Sequence, residues 1–149
     1  MKMKRKAICA LSTVLFLISL FSVAVPEGFA LENASDYFSV TDVWATAQSG
    51  GKVLVEFDIN ATHQMLEVGA KKIYICEQQS NGKYAVVETY TSDDIPSLMN
   101  TKSAFGGGEV TYQGTPGVKY FATLALYARD SEGNETLYFD TNVVTAKWF

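Results

Sequence analysis

Apolar and polar residues alternate along most of this chain with a period of two. Val53, Val55, Phe57 and Ile59 fall on one face of a run whose other face carries Glu56, Asp58 and Asn60. That spacing predicts a half-buried strand, because successive side chains of extended backbone point to opposite faces. Gly50-Gly51 precedes the run and predicts a turn after an earlier strand over residues 40–47. Two further strands, over 71–78 and 83–90, flank Gln79-Ser80-Asn81-Gly82. The Asn-Gly step adopts positive φ at low cost, so a hairpin is expected there. A strand over 109–113 follows Gly106-Gly107-Gly108, which reads as a flexible lead-in. Strands over 118–129 and 136–145, joined by a loop over 130–135, close the chain. Seven strands at this spacing predict an all-β sandwich. Two stretches break the alternation. Residues 60–70 read as a long connection with room for a helical turn. Residues 92–105, with Asp93-Asp94 and Pro96, read as a short helix or an irregular edge segment.

The last third carries a resemblance. Pro116-Gly117-x-x-Tyr120 resembles the E–F corner of fibronectin type III domains, and Asp130-x-x-Gly133-Asn134 resembles the F–G turn of bacterial immunoglobulin-like modules. The resemblance implies a tyrosine corner, with the Tyr120 hydroxyl turned back onto upstream backbone and Ala122, Leu124, Leu126 and Ala128 pointing inward. Gly114 stands where the family has leucine, Leu126 where it has alanine, and no tryptophan matches that of strand B, Phe57 being the nearest large residue. The expected fold is therefore a single Ig-like (fibronectin type III-like) β-sandwich of about seven strands. In overall plan the chain is similar to short secreted proteins of Gram-positive bacteria.

Residues 1–30 change the picture of where such a domain works. Lys2, Lys4, Arg5 and Lys6 precede an apolar run over 7–25, and Pro26 and Gly28-Phe29-Ala30 follow it. This is the order of a signal peptide, with cleavage expected after Ala30 or, alternatively, after Ala24. An uncleaved anchor is the other reading, since the apolar run could just span a bilayer, although Ser12, Thr13, Ser19 and Ser22 dilute it. The expected organisation is a signal peptide over 1–30, helical while it directs export, and one secreted domain over 31–149, large enough for a single core. Removing the leader takes the net charge from −4 to −7, with eight basic residues against fifteen acidic. Such a surface repels phosphate backbones and anionic lipid, so no nucleic-acid partner and no stable membrane insertion after cleavage are expected.

Candidate chemistry is sparse. Cys76 is the one cysteine beyond the leader, which leaves no intrachain disulfide. It reads as a small buried residue if it faces inward, with a reactive thiol as the alternative. His63 is the only histidine and has no Cys or His cluster beside it in sequence, so no metal site is expected. A Ser-His-Asp relay would need a nucleophile that no motif supplies. Asp130, Glu132, Asn134 and Glu135 could gather oxygens around Ca²⁺, but their spacing departs from that of calcium loops and favours a solvated hairpin. Asp93-Asp94 reads as the acidic start of a helical turn. Glu56 and Asp58 share an outward strand face, a poor setting for paired-carboxylate hydrolysis. Gly106-Gly107-Gly108 lacks the Lys-Ser/Thr and helix of a phosphate loop. No catalytic, cofactor-binding or metal residues are expected, and no cofactor.

Aromatic residues supply the remaining signal. Phe121 and Tyr127 lie on the face of their strand opposite Tyr120, and Tyr138 joins them from the last strand. If exposed, these three form a candidate surface for protein or for stacking sugars. The expected function is that of a secreted, non-enzymatic binding or adhesion module whose partner is a protein or glycan, the cell envelope among them. A self-assembling structural protein and, behind it, a small hydrolase are the alternatives.

Overall fold

The computed structural model describes residues 35–149, so the signal peptide expected over 1–30 and its cleavage point lie outside the described residues. No helix among the described residues is long and apolar enough to cross a membrane. The described chain is all-β. Its strands are β1 (Phe38–Ala47), β2 (Lys52–Gln78), β3 (Tyr84–Thr91), β4 (Met99–Gln113), β5 (Lys119–Arg129), β6 (Asn134–Asp140) and β7 (Val144–Thr145). Short 3-10 turns at Ser49–Gly51 and Pro96–Leu98 precede β2 and β4.

The strand count matches expectation, but the strands differ. The runs around Val53 and over 71–78 are two ends of one strand, the 27-residue β2. Its middle, expected as a connection, stays extended. The final strand instead divides at Thr141–Val143 into β6 and β7.

All seven described strands belong to one hydrogen-bonded sheet built on β2. The first half of β2 lies between β1 and β4, with Val55 opposite both Ala45 and Val110. Its second half lies between β3 and β5, with Ile73 opposite both Tyr90 and Leu124. Between them the β2–β4 register jumps from Asn60↔Phe105 to Met65↔Ser103, leaving extra residues on β2 that bend the strand. The sheet curls at this corner, and β1 comes near β5, β6 and β7. Asn142 stitches this side: it accepts the Ala45 N–H at 2.9 Å and donates to the Ala45 carbonyl at 3.0 Å.

Inward residues of both halves share one core. Val53, Val55, Phe57, Ile59 and Val110 come from one half, and Ile73, Ile75, Ala122, Leu124 and Leu126 from the other. The inward series expected from Tyr120 to Ala128 is buried throughout. Gly106-Gly107-Gly108 is no lead-in. It lies within β4 opposite Ile59, Asp58 and Phe57, and a Cβ on Gly108 would sit 3.1 Å from the Phe57 ring. Glycine here makes room for the largest core side chain of β2.

The corner formed by Thr115 to Tyr120 has the hydrogen bond that the resemblance implied. The Thr115 N–H donates to the Tyr120 hydroxyl at 2.9 Å, and that hydroxyl donates to Glu77 at 2.7 Å. Burial pushes the phenol's pKa up. The result is an all-β, curled single sheet, compatible with a sandwich and coarser than the immunoglobulin-like assignment.

Candidate functional site

Ladder registers fix which side chains share a face, because directly opposed residues of antiparallel strands point the same way. On the outer side of the β3–β2–β5–β6 half, Val86, Cys76 and Phe121 form one row, and Thr89, Tyr74, Thr123 and Asp140 the next. Lys72, Ala125 and Tyr138 make a third row, and Tyr84 beside Gln78 extends the face at its other end. Rows on one face repeat about every 7 Å along the strands.

Of the three aromatic residues that would form this surface if exposed, one is exposed. Tyr138 is 66% exposed. Phe121 is half-buried, its ring meeting the Tyr84 ring edge-on at 4.9 Å. Tyr127 is buried, only 6% exposed, with the Lys71 ammonium 3.8 Å from the centre of its ring. That cation–π contact covers the residue that would otherwise continue the face. Tyr127 instead lines a shallow hollow of about 330 Å³ with Glu67, Lys71, Asp93 and Pro96. The face therefore runs from Tyr138 through Phe121 toward β3, where Tyr84 and the 57%-exposed Val86 join it. Sequence reading missed Tyr84, Val86 and the half-buried Tyr74. The hairpin register set by Asn81-Gly82 puts Tyr84 and Val86 on the same face as Tyr74, but the β2–β5 pairing that brings Phe121 beside them has no local signal.

Cys76 is buried, yet it sits on this outer face rather than inward, between Val86 and Phe121 in register. Burial is the main cause that holds its thiol's pKa above the ordinary value, which disfavours the reactive thiolate.

No protein-family model matches the chain, and no curated protein matches it either.

A polar cluster sits apart from this face, at the corner of β2. Thr62, His63 and Gln64 are exposed there. The Thr62 hydroxyl donates to the Asp36 carbonyl at 2.7 Å and lies 3.0 Å from His63 Nδ1. His63 Nε2 lies 2.9 Å from Asp130 Oδ2. These residues flank an open depression of about 340 Å³ lined by His63, Gln64, Leu66 and Asp130 to Glu132. Nothing local in the sequence joins His63 to a carboxylate 67 positions away.

The chain Thr62–His63–Asp130 has the order of a hydrolytic relay but the wrong proton. A nucleophilic hydroxyl must give its proton to the imidazole, and Thr62 gives its proton to a carbonyl. The arrangement acts as a clasp: it ties the chain entering β1 and the β5–β6 hairpin to the bend of β2. The Tyr37 carbonyl accepts from the Thr62 N–H at 2.9 Å, and the Ser35 hydroxyl donates to Glu135.

Asp130 is held from within its own turn. Its Oδ1 accepts the Glu132 and Gly133 N–H groups at 2.7 and 2.9 Å. These bonds, with His63, lower its pKa below the ordinary carboxylate value. Both oxygens of Asp130, one of the four residues considered for calcium, are thus engaged by the hairpin and His63. No group of three or more His, Cys, Asp or Glu side chains is placed to hold a metal among the described residues. A depressed carboxylate adds stability above its unfolded pKa and loses it as pH falls through the lower, folded value. Acid titration followed by the Tyr37 environment should therefore show a loosening below the ordinary carboxylate range. Asp130→Asn should flatten that transition.

Glu56 and Asp58 project outward on the other half, with Glu56 accepting the Trp44 indole N–H at 2.7 Å. Glu109 stands directly opposite Glu56, and Asp42 opposite Asp58. This is an acidic, solvent-facing strip without a cleft.

Proposed function

We propose that the protein is a secreted, non-enzymatic binding or adhesion module. It meets a protein or glycan through the outer face of β3, β2, β5 and β6. One observation carries the reading: Tyr138 and Val86 stand 66% and 57% exposed at opposite sides of a four-stranded face, with Tyr74 and Phe121 between them and Tyr84 beside Val86 on β3. Phe105, Trp148 and Phe149 are exposed singly elsewhere, whereas these residues are grouped on one face, and a grouped apolar patch marks an interaction site. Thr89, Thr123 and Asp140 between the rings supply hydrogen-bonding groups, and the acidic balance of the chain favours neutral or basic partners.

Co-sedimentation of the protein with walls of the producing cell, at low and high salt, tests this. Salt-resistant binding that falls about tenfold in Tyr138→Ala, a loss of about 1.4 kcal/mol, is the expected result. Wall binding unaffected by Tyr138→Ala and by Phe121→Ala, in variants that melt normally, would sink the role of the face. A self-assembling extracellular protein is the second reading, and the same exposed apolar face, which a second copy would cover, is the observation that favours it.

A further inference from the structure

Strand β3 is hydrogen-bonded on one side only, to β2, among the described residues. Every residue from Tyr84 to Thr89 is exposed, including Val86 at 57% and Val87 at 39%. The other border strands differ: β1 and β4, which likewise pair only with β2, each have a side chain bonded to their main chain at one point, and β6 is charged. Tyr90 reaches across to donate to the Thr111 carbonyl of β4 at 3.3 Å. Asn142 occupies the main chain of β1 at Ala45. Strand β6 carries Glu135, bonded to Ser35, and Asp140. Over Tyr84–Thr91 the only charge is Glu88.

We infer that the free edge of β3 receives an extended polypeptide segment of a partner protein as an added strand. This rests on the reading of the domain as a binding module and narrows its partner to polypeptide. An open strand edge presents main-chain N–H and C=O groups in alternation, and extended backbone is the complement that pairs with them wherever the edge is regular. An added strand would lay alternate side chains over the outer face beside Val86 and Tyr84, continuing the apolar surface. Its other side chains would meet Glu88, so a basic residue belongs at that position.

A second copy of this chain fits less well. The β2–β3 register passes from Ile75↔Glu88 to Cys76↔Val86, so Val87 is an extra, bulged residue. Side-chain direction therefore switches phase midway along β3. The antiparallel register that still matches faces between two copies sets Val86 against Thr89 and Val87 against Glu88. That register brings two bulges and two Glu88 carboxylates together at the symmetry axis, where like charges oppose. The bulge and the charge guard the edge against its own copy while leaving it open to a regular, basic strand.

The test uses the full protein and a labelled heptapeptide, acetyl-Thr-Val-Lys-Val-Thr-Val-Thr-amide, followed by fluorescence anisotropy. Two control peptides are N-methylated at one or the other alternate set of amides. One set is expected to weaken binding at least tenfold and the other to leave it nearly unchanged, since only one set of N–H groups faces β3. Val86→Lys should weaken binding by about tenfold with normal melting, because Val86 is exposed in the free protein. Glu88→Lys should reverse the preference toward a peptide with Glu in place of its Lys. Equal binding of both methylated peptides, or no binding of the parent, would overturn the inference and leave wall binding through Tyr138 untouched. A dimer in sedimentation that Val86→Lys dissociates would overturn it in favour of a second copy.

Discussion

Gly69→Ala lowers the melting temperature by roughly 12 °C, the largest loss expected from adding one methyl group to this chain. Gly69 lies on β2 between Met99 of β4 and Tyr127 of β5. A Cβ there would collide with the Leu98 carbonyl oxygen and lie 2.8 Å from the Met99 Cα. Both are backbone atoms, so no side-chain rotation relieves the contact. Overpacking costs about 1–3 kcal/mol where side chains can yield and more where they cannot, which puts this change at about 3 kcal/mol or above. For a domain of this size each kcal/mol moves the midpoint by about 4 °C. Leu98 is fully buried, so the turn before β4 cannot lift away without exposing it. Thermal melts of the purified variant check this. A shift under about 3 °C would mean that the approach of the two chains is looser than described.

Tyr120 separates into two effects of different size. Tyr120→Ala removes the largest fully buried side chain and should cost about 3–5 kcal/mol, by analogy with other buried aromatic residues. Tyr120→Phe keeps the ring and removes only the hydroxyl. The Thr115 N–H then loses its acceptor and Glu77 its donor, at a cost of about 1–3 kcal/mol. Denaturant melts of both variants measure the two steps. A phenylalanine variant as stable as the parent would show that water replaces the hydroxyl at the corner. Tyr138→Ala, by contrast, should stay within about 0.5 kcal/mol, since an exposed side chain has little folding energy to lose.

Strands whose two faces differ were legible from the amino acids. Val53 to Ile59 shows a clean alternation and the structure buries the expected members, while from Tyr120 to Ala128 the expected members are buried but so are Ala125 and Tyr127 between them. Residues 60–70 did not read as strand, because a corner breaks the rule that alternation depends on. Thr62, His63 and Gln64 are all exposed in succession, while Val68, Gly69 and Ala70 are all buried in succession. The first three form the outside of a bend. The last three are enclosed on both sides, by β4 and β5. Gly106 to Gly108 misled for a related reason: with no side chains they show no alternation, although they lie in the middle of β4. The aromatic face was legible in position but not in exposure. No local pattern reveals that Lys71 lies over Tyr127, or that Tyr84 comes within reach of Phe121.

Strand β2 also sets how this domain is put together in time. It supplies one side of the ladder to β1, β3, β4 and β5, and two of those partners belong to each half of the sheet. Neither half holds a complete set of rungs without it, so neither can exist as a stable fragment or as an early, separately folded piece. The rungs to β5 join Glu67 to Arg129 and Glu77 to Tyr120. They close only after most of the chain has been made. A polypeptide wired this way gains little from folding its first part early and keeps its native order nearly all-or-none.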